Sequence, residues 1–112
     1  MFRHPVRIPI KSVQEMDPGV VLRELDPSAR AAGPIPFHCS IFSVAPASRT
    51  GVGRHTSREC WFIAEGRGVL ASDAGREPAQ AGDAFLFDSG VGRGIENTGA
   101  RPLLVVSIWW SP

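Results

Sequence analysis

The segment GRHTSRECWFIAEG, residues 53–66, decides the fold of this chain of 112 residues. Its first half is polar and contains His55. Its second half begins with residues 59–63, in which an apolar run follows Glu59 and predicts a strand that Gly66 ends with a turn. A polar loop that leads directly into an apolar strand places His55 where the chain re-enters the fold.

Short strands are predicted along the rest of the chain as well. Twelve glycines and ten prolines recur at short intervals, which leaves little room for helices of ten or more residues. Strand-like apolar runs occupy residues 20–25, 37–44, 69–71, 84–87 and 103–110. Short strands separated by turn signals favour an all-β fold, an antiparallel sandwich or barrel.

Three local expectations complete this assignment. Residues 59–63 and 69–71 are predicted to pair as a hairpin across the glycine turn between them. Prolines interrupt the candidate elements of the N-terminal third, except for the strand at 20–25 and one helical turn at 26–30. The glycine-rich residues 88–94 are predicted to form a loop.

Composition and charge exclude several classes of protein. Hydrophobic residues make up 43% and charged residues 21% of the chain, which is typical of a soluble globular domain and excludes a disordered one. A formal net charge of +1 without a basic stripe makes nucleic acid an unexpected partner. No apolar run approaches the ~20 residues of a membrane span. We therefore expect neither nucleic acid nor a membrane as partner.

The N-terminus and the cysteines bear on location. Residues 1–10 carry prolines where a signal peptide needs an unbroken apolar run. Cys39 and Cys60 could form at most one bridge, which a core of this size does not need. Arginine supplies 11 of the 12 basic residues, a bias typical of GC-rich bacterial genomes. The expected location is the bacterial cytoplasm.

Two spaced sets of residues resemble the motifs of the cupin superfamily. Gly53, His55, Glu59 and Gly66 fall on the spacing of the first motif, H-x-H-x(3,4)-E-x(6)-G. Gly82, Asp88, Gly90, Arg93 and Asn97 fall on the spacing of the second motif, G-x(5)-P-x-G-x(2)-H-x(3)-N. The resemblance implies an all-β, antiparallel jelly-roll β-barrel formed by residues 37–112, with residues 1–36 as an N-terminal extension or edge strands. It also implies a homodimer, because small cupins are commonly dimeric.

The resemblance further implies a metal site whose usual ligand set is incomplete here. Cupins usually hold a divalent metal with the two histidines and the glutamate of the first motif and the histidine of the second. This chain keeps His55 and Glu59 but has Gly53 and Arg93 at the other two positions. Two protein ligands alone hold a metal weakly against water.

Three interpretations of this altered set remain open. In the first, a third ligand repairs a site for Fe, Mn, Ni or Zn. His38, Cys39 and Glu96 are the candidates, and His38 is the best of them on chemistry alone. Whether His38 faces the interior depends on strand register, which the sequence does not fix.

The other two interpretations need no metal. In the second, Arg93 takes the place of the ion, pairs with Glu59 and binds a substrate carboxylate, while His55 acts as a general acid or base. In the third, Glu59 and Arg93 form a buried structural pair and His55 is a hydrogen-bonded wall residue.

The expected function is to bind a small polar or anionic organic molecule inside the barrel. The catalytic candidates are His55, Glu59 and Arg93, and Arg93, Trp61 and His38 are the candidates for ligand binding. One hypothesis is a divalent-metal-dependent enzyme with an atypical ligand set. The alternative is a metal-free cupin: a ligand-binding or sensor module, which would need a partner protein, or an isomerase- or cyclase-type enzyme that uses His55 and Arg93.

Overall fold

The structure is a computed structural model that describes residues 4–112. In this part of the chain every regular element is a β-strand, and no helix is long and apolar enough to cross a membrane. The strands are β1 (Ile10–Asp17), β2 (Val20–Leu25), β3 (His38–Val44), β4 (Arg58–Glu65), β5 (Arg67–Ser72), β6 (Gly75–Gln80), β7 (Ala84–Phe87), β8 (Arg93–Asn97) and β9 (Leu103–Trp110).

The strands form two antiparallel sheets. A six-stranded sheet has the order β1-β2-β3-β9-β4-β7, and a three-stranded sheet has the order β6-β5-β8. The last strand of the chain therefore lies between β3 and β4, a connection typical of jelly rolls. The all-β jelly-roll prediction is confirmed.

The alternation of buried and partly buried residues along β9 shows where the core lies. Leu103, Val105 and Ser107 are buried, whereas the residues between them are only partly covered. The buried face meets Leu70 of β5 and Ile95 of β8, which belong to the other sheet. The core thus fills the space between the two sheets, and side chains on the inner faces are the ones that can reach an internal site.

The predicted hairpin between β4 and β5 is wrong. β5 pairs with β6 and β8 in the smaller sheet, while β4 pairs with β7 and β9 in the larger one. Gly66 separates them with a φ of 86°, a backbone conformation that only glycine adopts freely. A Cβ at this position would lie 2.8 Å from the carbonyl oxygen of Pro102. This glycine carries the chain from one sheet to the other instead of closing a hairpin.

Three strands were not predicted. β1 is exposed along nearly its whole length, so it shows no alternating apolar pattern. β6 contains Pro78, which is tolerated because β6 is an edge strand. β8 begins inside the segment that was predicted to be a loop, and Ile95 is its only large apolar residue. Residues 26–30 form turns and not a helical turn.

β1 and β2 form a hairpin at the edge of the larger sheet. Near its turn the register shifts, because Glu15 pairs with Val21 but Asp17 pairs with Val20. Met16 is the extra residue, and such a bulge re-aims the side chains around it.

Candidate functional site

A cavity of about 430 Å³ opens between the two sheets. Apolar side chains form most of its wall. Its lining residues are Met16, Asp17, Val20, Leu22, Ser40, Phe42, Thr50, Gly51, Gly53, His55, Ser57, Glu59, Trp61, Arg93, Ser107 and Trp109. The structure therefore brings all three predicted catalytic residues, His55, Glu59 and Arg93, into one cavity.

Glu59 and Arg93 form an ion pair in the wall of this cavity. Nη1 of Arg93 donates to Oε1 of Glu59 at 2.8 Å, and their side chains are only 1% and 13% exposed, respectively. Oε2 of Glu59 accepts hydrogen bonds from Trp61 Nε1 at 2.9 Å and from the hydroxyl of Ser107. Both carboxylate oxygens are thus engaged by neighbouring side chains.

The rest of the Arg93 guanidinium is held by backbone groups and an aromatic ring. Nε donates to the carbonyl oxygen of Val91 at 3.0 Å, and Nη2 donates to that of Asp88 at 3.2 Å. The guanidinium carbon lies 5.0 Å from the ring centroid of Phe87, within the range of a cation–π contact. All three nitrogens therefore have partners within the protein.

Trp61 links this polar cluster to the apolar wall. Its ring packs edge-on against Phe42 and Phe87, with centroid separations of 5.2 and 4.9 Å. Because its indole N–H also donates to Glu59, the ring is fixed by packing and by a hydrogen bond. Trp61 thus forms part of the cavity wall.

His55 lies in the loop before β4, at the mouth of the cavity. Its backbone carbonyl accepts a hydrogen bond from Gly90 N at 2.7 Å. Its side chain is exposed, and Nε2 lies 3.4 Å from the point where a Cβ on Gly53 would be. The imidazole can therefore meet a bound molecule and solvent together.

A salt bridge fixes the loop that carries His55. Arg54 donates to the two carboxylate oxygens of Asp73 at 2.7 and 2.6 Å. Asp73 also accepts from Gly92 N at 3.0 Å. The hydrogen bonds from Arg54 and then from Gly92 N lower the pKa of Asp73 to about 2. We call these three residues the mouth clamp, because they tie the His55 loop to two other turns.

The structure places His38 away from Glu59. In the sheet register Glu59 pairs with Trp109 and Trp109 pairs with His38, so β9 separates the two residues. The His38 ring is exposed and stacks on Trp109 with a centroid separation of 5.5 Å. His38 is on the inner side of β3, but at the rim and outside the cavity lining.

The other two candidate third ligands also lie elsewhere. Cys39 follows His38 on β3 and so points to the opposite side of the sheet, where burial raises its pKa. Glu96 lies 3.7 Å from Arg76 on the smaller sheet. Neither lines the cavity.

A family model for the cupin domain matches residues 40–109, which is more than half of the chain. The chain belongs to the cupin family. The motif glycines and Asn97 are present in this match, and Asn97 donates to the carbonyl oxygens of Val44 and Arg101, both at 2.8 Å. The motif asparagine is therefore a structural residue in this cupin.

Solved structures of similar proteins agree with this membership. A Cupin 2 conserved barrel domain protein from Salinispora arenicola is 26% identical, with a TM-score of 0.79 over 98% of this chain and 91% of that one. A predicted oxalate decarboxylase from Thermotoga maritima is 22% identical, with a TM-score of 0.76 over 96% and 100% of the two chains. KdgF from Halomonas sp. is 13% identical, with a TM-score of 0.73 over 90% and 86%. The last two similarities establish the fold alone.

The residues of this cupin do not fit the metal that the family often carries. Within residues 4–112 no group of three or more His, Cys, Asp or Glu side chains is placed to hold an ion. The Arg93 guanidinium lies against Glu59, where it puts a fixed positive charge beside the carboxylate that a metal would need. A cation approaching Glu59 would meet this charge and would compete with the three hydrogen bonds that the carboxylate accepts.

Sequence reasoning missed the contribution of the N-terminal hairpin to the site. Met16 and Asp17 are consecutive in sequence, yet both line the cavity. Strand alternation would send them to opposite faces, so the bulge at Met16 is what brings both to the mouth. The only sequence signal near them was the turn formed by Pro18 and Gly19.

Proposed function

We propose that this cupin binds a small organic molecule in its cavity without a metal ion. The observation that carries the proposal is the buried pair of Glu59 and Arg93, whose charged atoms are 2.8 Å apart. Arg93 supplies permanently the positive charge that a metal would bring, because a guanidinium does not lose its proton in a protein. The prediction of a metal-dependent site stays a prediction without support from the side chains around Glu59.

The geometry assigns Arg93 a positioning role. Its side chain is 1% exposed and its nitrogens are bound to Glu59 and to two carbonyl groups. A ligand carboxylate would have to compete with these partners. Contacts with the bound molecule therefore fall to Trp61 and Phe42 in the wall, and to His55 and Ser57 nearer the mouth.

A cavity-filling variant tests this proposal. Small aromatic compounds are screened by thermal shift and NMR against untagged protein that has been dialysed with a chelator. Ser57→Phe should abolish binding, because Ser57 lines the cavity and a phenyl ring would occupy part of it. Thr56→Phe is the matched control, since Thr56 is the exposed neighbour outside the cavity lining.

Two results would overturn the proposal. One is binding that disappears with the chelator and returns with a divalent metal. The other is binding that survives Ser57→Phe, which would place the ligand outside the cavity.

A second candidate function is metal-free acid–base catalysis by His55. The observation that favours it is that the imidazole lines the cavity mouth and has no side-chain hydrogen bond within residues 4–112. If the protein is an enzyme, His55→Gln should abolish turnover of a bound substrate and largely spare its affinity. A binding or sensor module should instead show a change in affinity alone.

We also propose that the protein is a homodimer that associates through the outer face of β3, β4, β7 and β9. The sheet register places six apolar side chains side by side on this face. They are Ile41, Cys60, Phe62, Leu86, Val106 and Ile108. Phe62 and Leu86 are 43% and 71% exposed. A second copy is the fitting partner, because these six side chains are uncharged and can meet their own copies across a two-fold axis without like-charge repulsion.

Light scattering coupled to size exclusion tests the dimer. The wild type should be dimeric, and Leu86→Glu should shift it to monomer because it places two carboxylates in the interface. Val52→Glu is the control, since Val52 is 60% exposed but lies in the loop before β4. A monomeric wild type, or a Leu86→Glu variant that remains dimeric, would contradict the proposed face.

The cysteines support our proposal of a reducing compartment, the bacterial cytoplasm. Cys39 and Cys60 are both free. Each pairs with Ile108 from opposite sides, so they lie two strands apart, about 10 Å. This separation is too large for a disulfide bond.

A further inference from the structure

The mouth of the cavity carries one carboxylate that no cation neutralises within residues 4–112. Asp17 is half-buried at the end of β1, and its Oδ2 accepts a hydrogen bond from Gly51 N at 3.2 Å. It forms no ion pair with any described Lys, Arg or His. The bulge at Met16 aims it at the mouth, as described above.

The charges of the other lining residues cancel. Glu59 and Arg93 compensate each other within one ion pair. His55 is uncharged unless it takes a proton. Asp17 therefore gives the cavity a net negative charge when His55 is neutral, and an apolar surrounding strengthens the field of such a charge compared with bulk water.

We infer that the cavity selects an organic cation, an ammonium group carried on an apolar ring, with Asp17 as its anchoring residue. The inference rests on the proposed function and names the class of ligand for the same site. The ring would pack against Trp61 and Phe42, whose faces and edges form the wall. The ammonium group would donate to Asp17 at the mouth, where the hydrogen bond from Gly51 N holds the carboxylate.

A purely structural role for Asp17 predicts a different response to substitution. Asp17 precedes the Pro18–Gly19 turn and accepts a hydrogen bond from Gly51 N. In the structural alternative, its sole role is to join the hairpin to the loop that contains Gly51. Asp17→Asn keeps one oxygen that can accept from Gly51 N, removes the negative charge and replaces the other oxygen with an N–H donor. A loss of selectivity in this variant is then due to the lost carboxylate and not to a lost contact with Gly51 N.

Three probes that share a phenyl ring and differ in charge test the inference by calorimetry and NMR. They are 2-phenylethylamine, 2-phenylethanol and 3-phenylpropionate, each titrated into untagged wild-type protein. The amine should bind about three- to ten-fold more tightly than the alcohol, and the carboxylate most weakly. In Asp17→Asn the amine and the alcohol should bind alike. Glu15→Gln is the control, because Glu15 has the same charge on the same strand but does not line the cavity, and it should keep the preference.

Each possible result decides something. Equal binding of all three probes, a preference for the carboxylate, or a preference for the amine that survives Asp17→Asn would overturn the inference and leave the proposed function standing. If none of the probes binds at millimolar concentration, the choice of an aromatic cation is wrong. Binding that requires added metal contradicts the proposed function itself.

Discussion

Gly53 and Arg93 face each other across an isolated antiparallel bridge, and each donates its backbone N–H to the carbonyl oxygen of the other at 3.0 Å. These are the two positions at which the cupin motifs usually carry metal-binding histidines. Both departures from the motif therefore occur in one cross-strand pair. The glycine leaves space beside His55, and the arginine fills the centre with charge.

Restoring both histidines should create a metal site. In Gly53→His/Arg93→His, the new side chains join His55 and Glu59 to complete four ligands, and a Cβ on residue 53 meets His55 Nε2 at an ordinary contact distance of 3.4 Å. Zinc at a hundred-fold excess over its Kd should raise the melting temperature by about 10 °C, measured by thermal shift.

The control for this experiment is Gly33→His/Arg93→His. Gly33 has open space around it and lies outside the cavity lining, so this variant has the same composition without the neighbouring imidazole. Equal stabilisation of the two variants by zinc, or none in a folded Gly53→His/Arg93→His variant, would count against the motif assignment at this bridge.

Replacing only one member of the buried ion pair should destabilise the fold more than replacing both members. Arg93→Met leaves Glu59 without its cation and should lower the free energy of unfolding by about 3 kcal/mol. Glu59→Gln/Arg93→Met removes both charges and should recover part of that loss. Urea unfolding measures both, with Arg101→Met at an exposed position as the control. If Arg93→Met is as stable as the wild type, the ion pair does not contribute to the stability of the fold.

Acid should release the mouth clamp before it unfolds the protein. The folded-state pKa of Asp73 is about 2, below the ordinary value of 3.8, chiefly because of the hydrogen bond from Arg54. The clamp therefore contributes stability above about pH 4 and loses it as the pH falls from there toward 2. The amide signal of Gly92, which donates to Asp73, should move as the pH falls through about 2, where Asp73 takes up its proton in the folded protein.

Asp73→Asn should remove that acid transition from the Gly92 signal. Asp26→Asn is a suitable control because Asp26 is not part of the clamp. If the Gly92 amide titrates in the same way in Asp73→Asn, another carboxylate controls the loop.

Trp61 should contribute to stability mainly through its ring. Trp61→Phe keeps most of the packing against Phe42 and Phe87 and loses the hydrogen bond to Glu59, at a cost of about 1–2 kcal/mol. Trp61→Ala should cost about 3–5 kcal/mol, because it leaves a void beside the core. Chemical denaturation would distinguish these values, and equal losses for the two variants would show that the ring packing is unimportant.

The strands that could be predicted from sequence are those with an apolar pattern. The bounds of β2, β7 and β9 agree with the predicted ranges, since each carries a run of apolar residues. β1 could not be found in this way because it is an edge strand exposed on both sides. The sheet assignment of β5 depends on long-range pairing, to which a short glycine turn gives no clue.

The part of the candidate site that could be predicted is the part formed by the cupin motif positions. The resemblance to the cupin motifs placed Glu59 and Arg93 in one site, and two of the three interpretations paired them, as the structure does. The motif resemblance could not show that backbone carbonyl groups also bind Arg93, because those contacts depend on the path of residues 88–91. Asp17 was missed because a one-residue bulge decides where it points.

Elemental analysis of untagged protein tests the central claim most directly, since a polyhistidine tag would add ligands of its own. If Arg93 takes the place of the ion beside Glu59, purified protein should carry only trace Fe, Mn, Ni and Zn, and growth in metal-supplemented medium should not change this. About one equivalent of metal per chain, lost in Glu59→Ala, would contradict the claim.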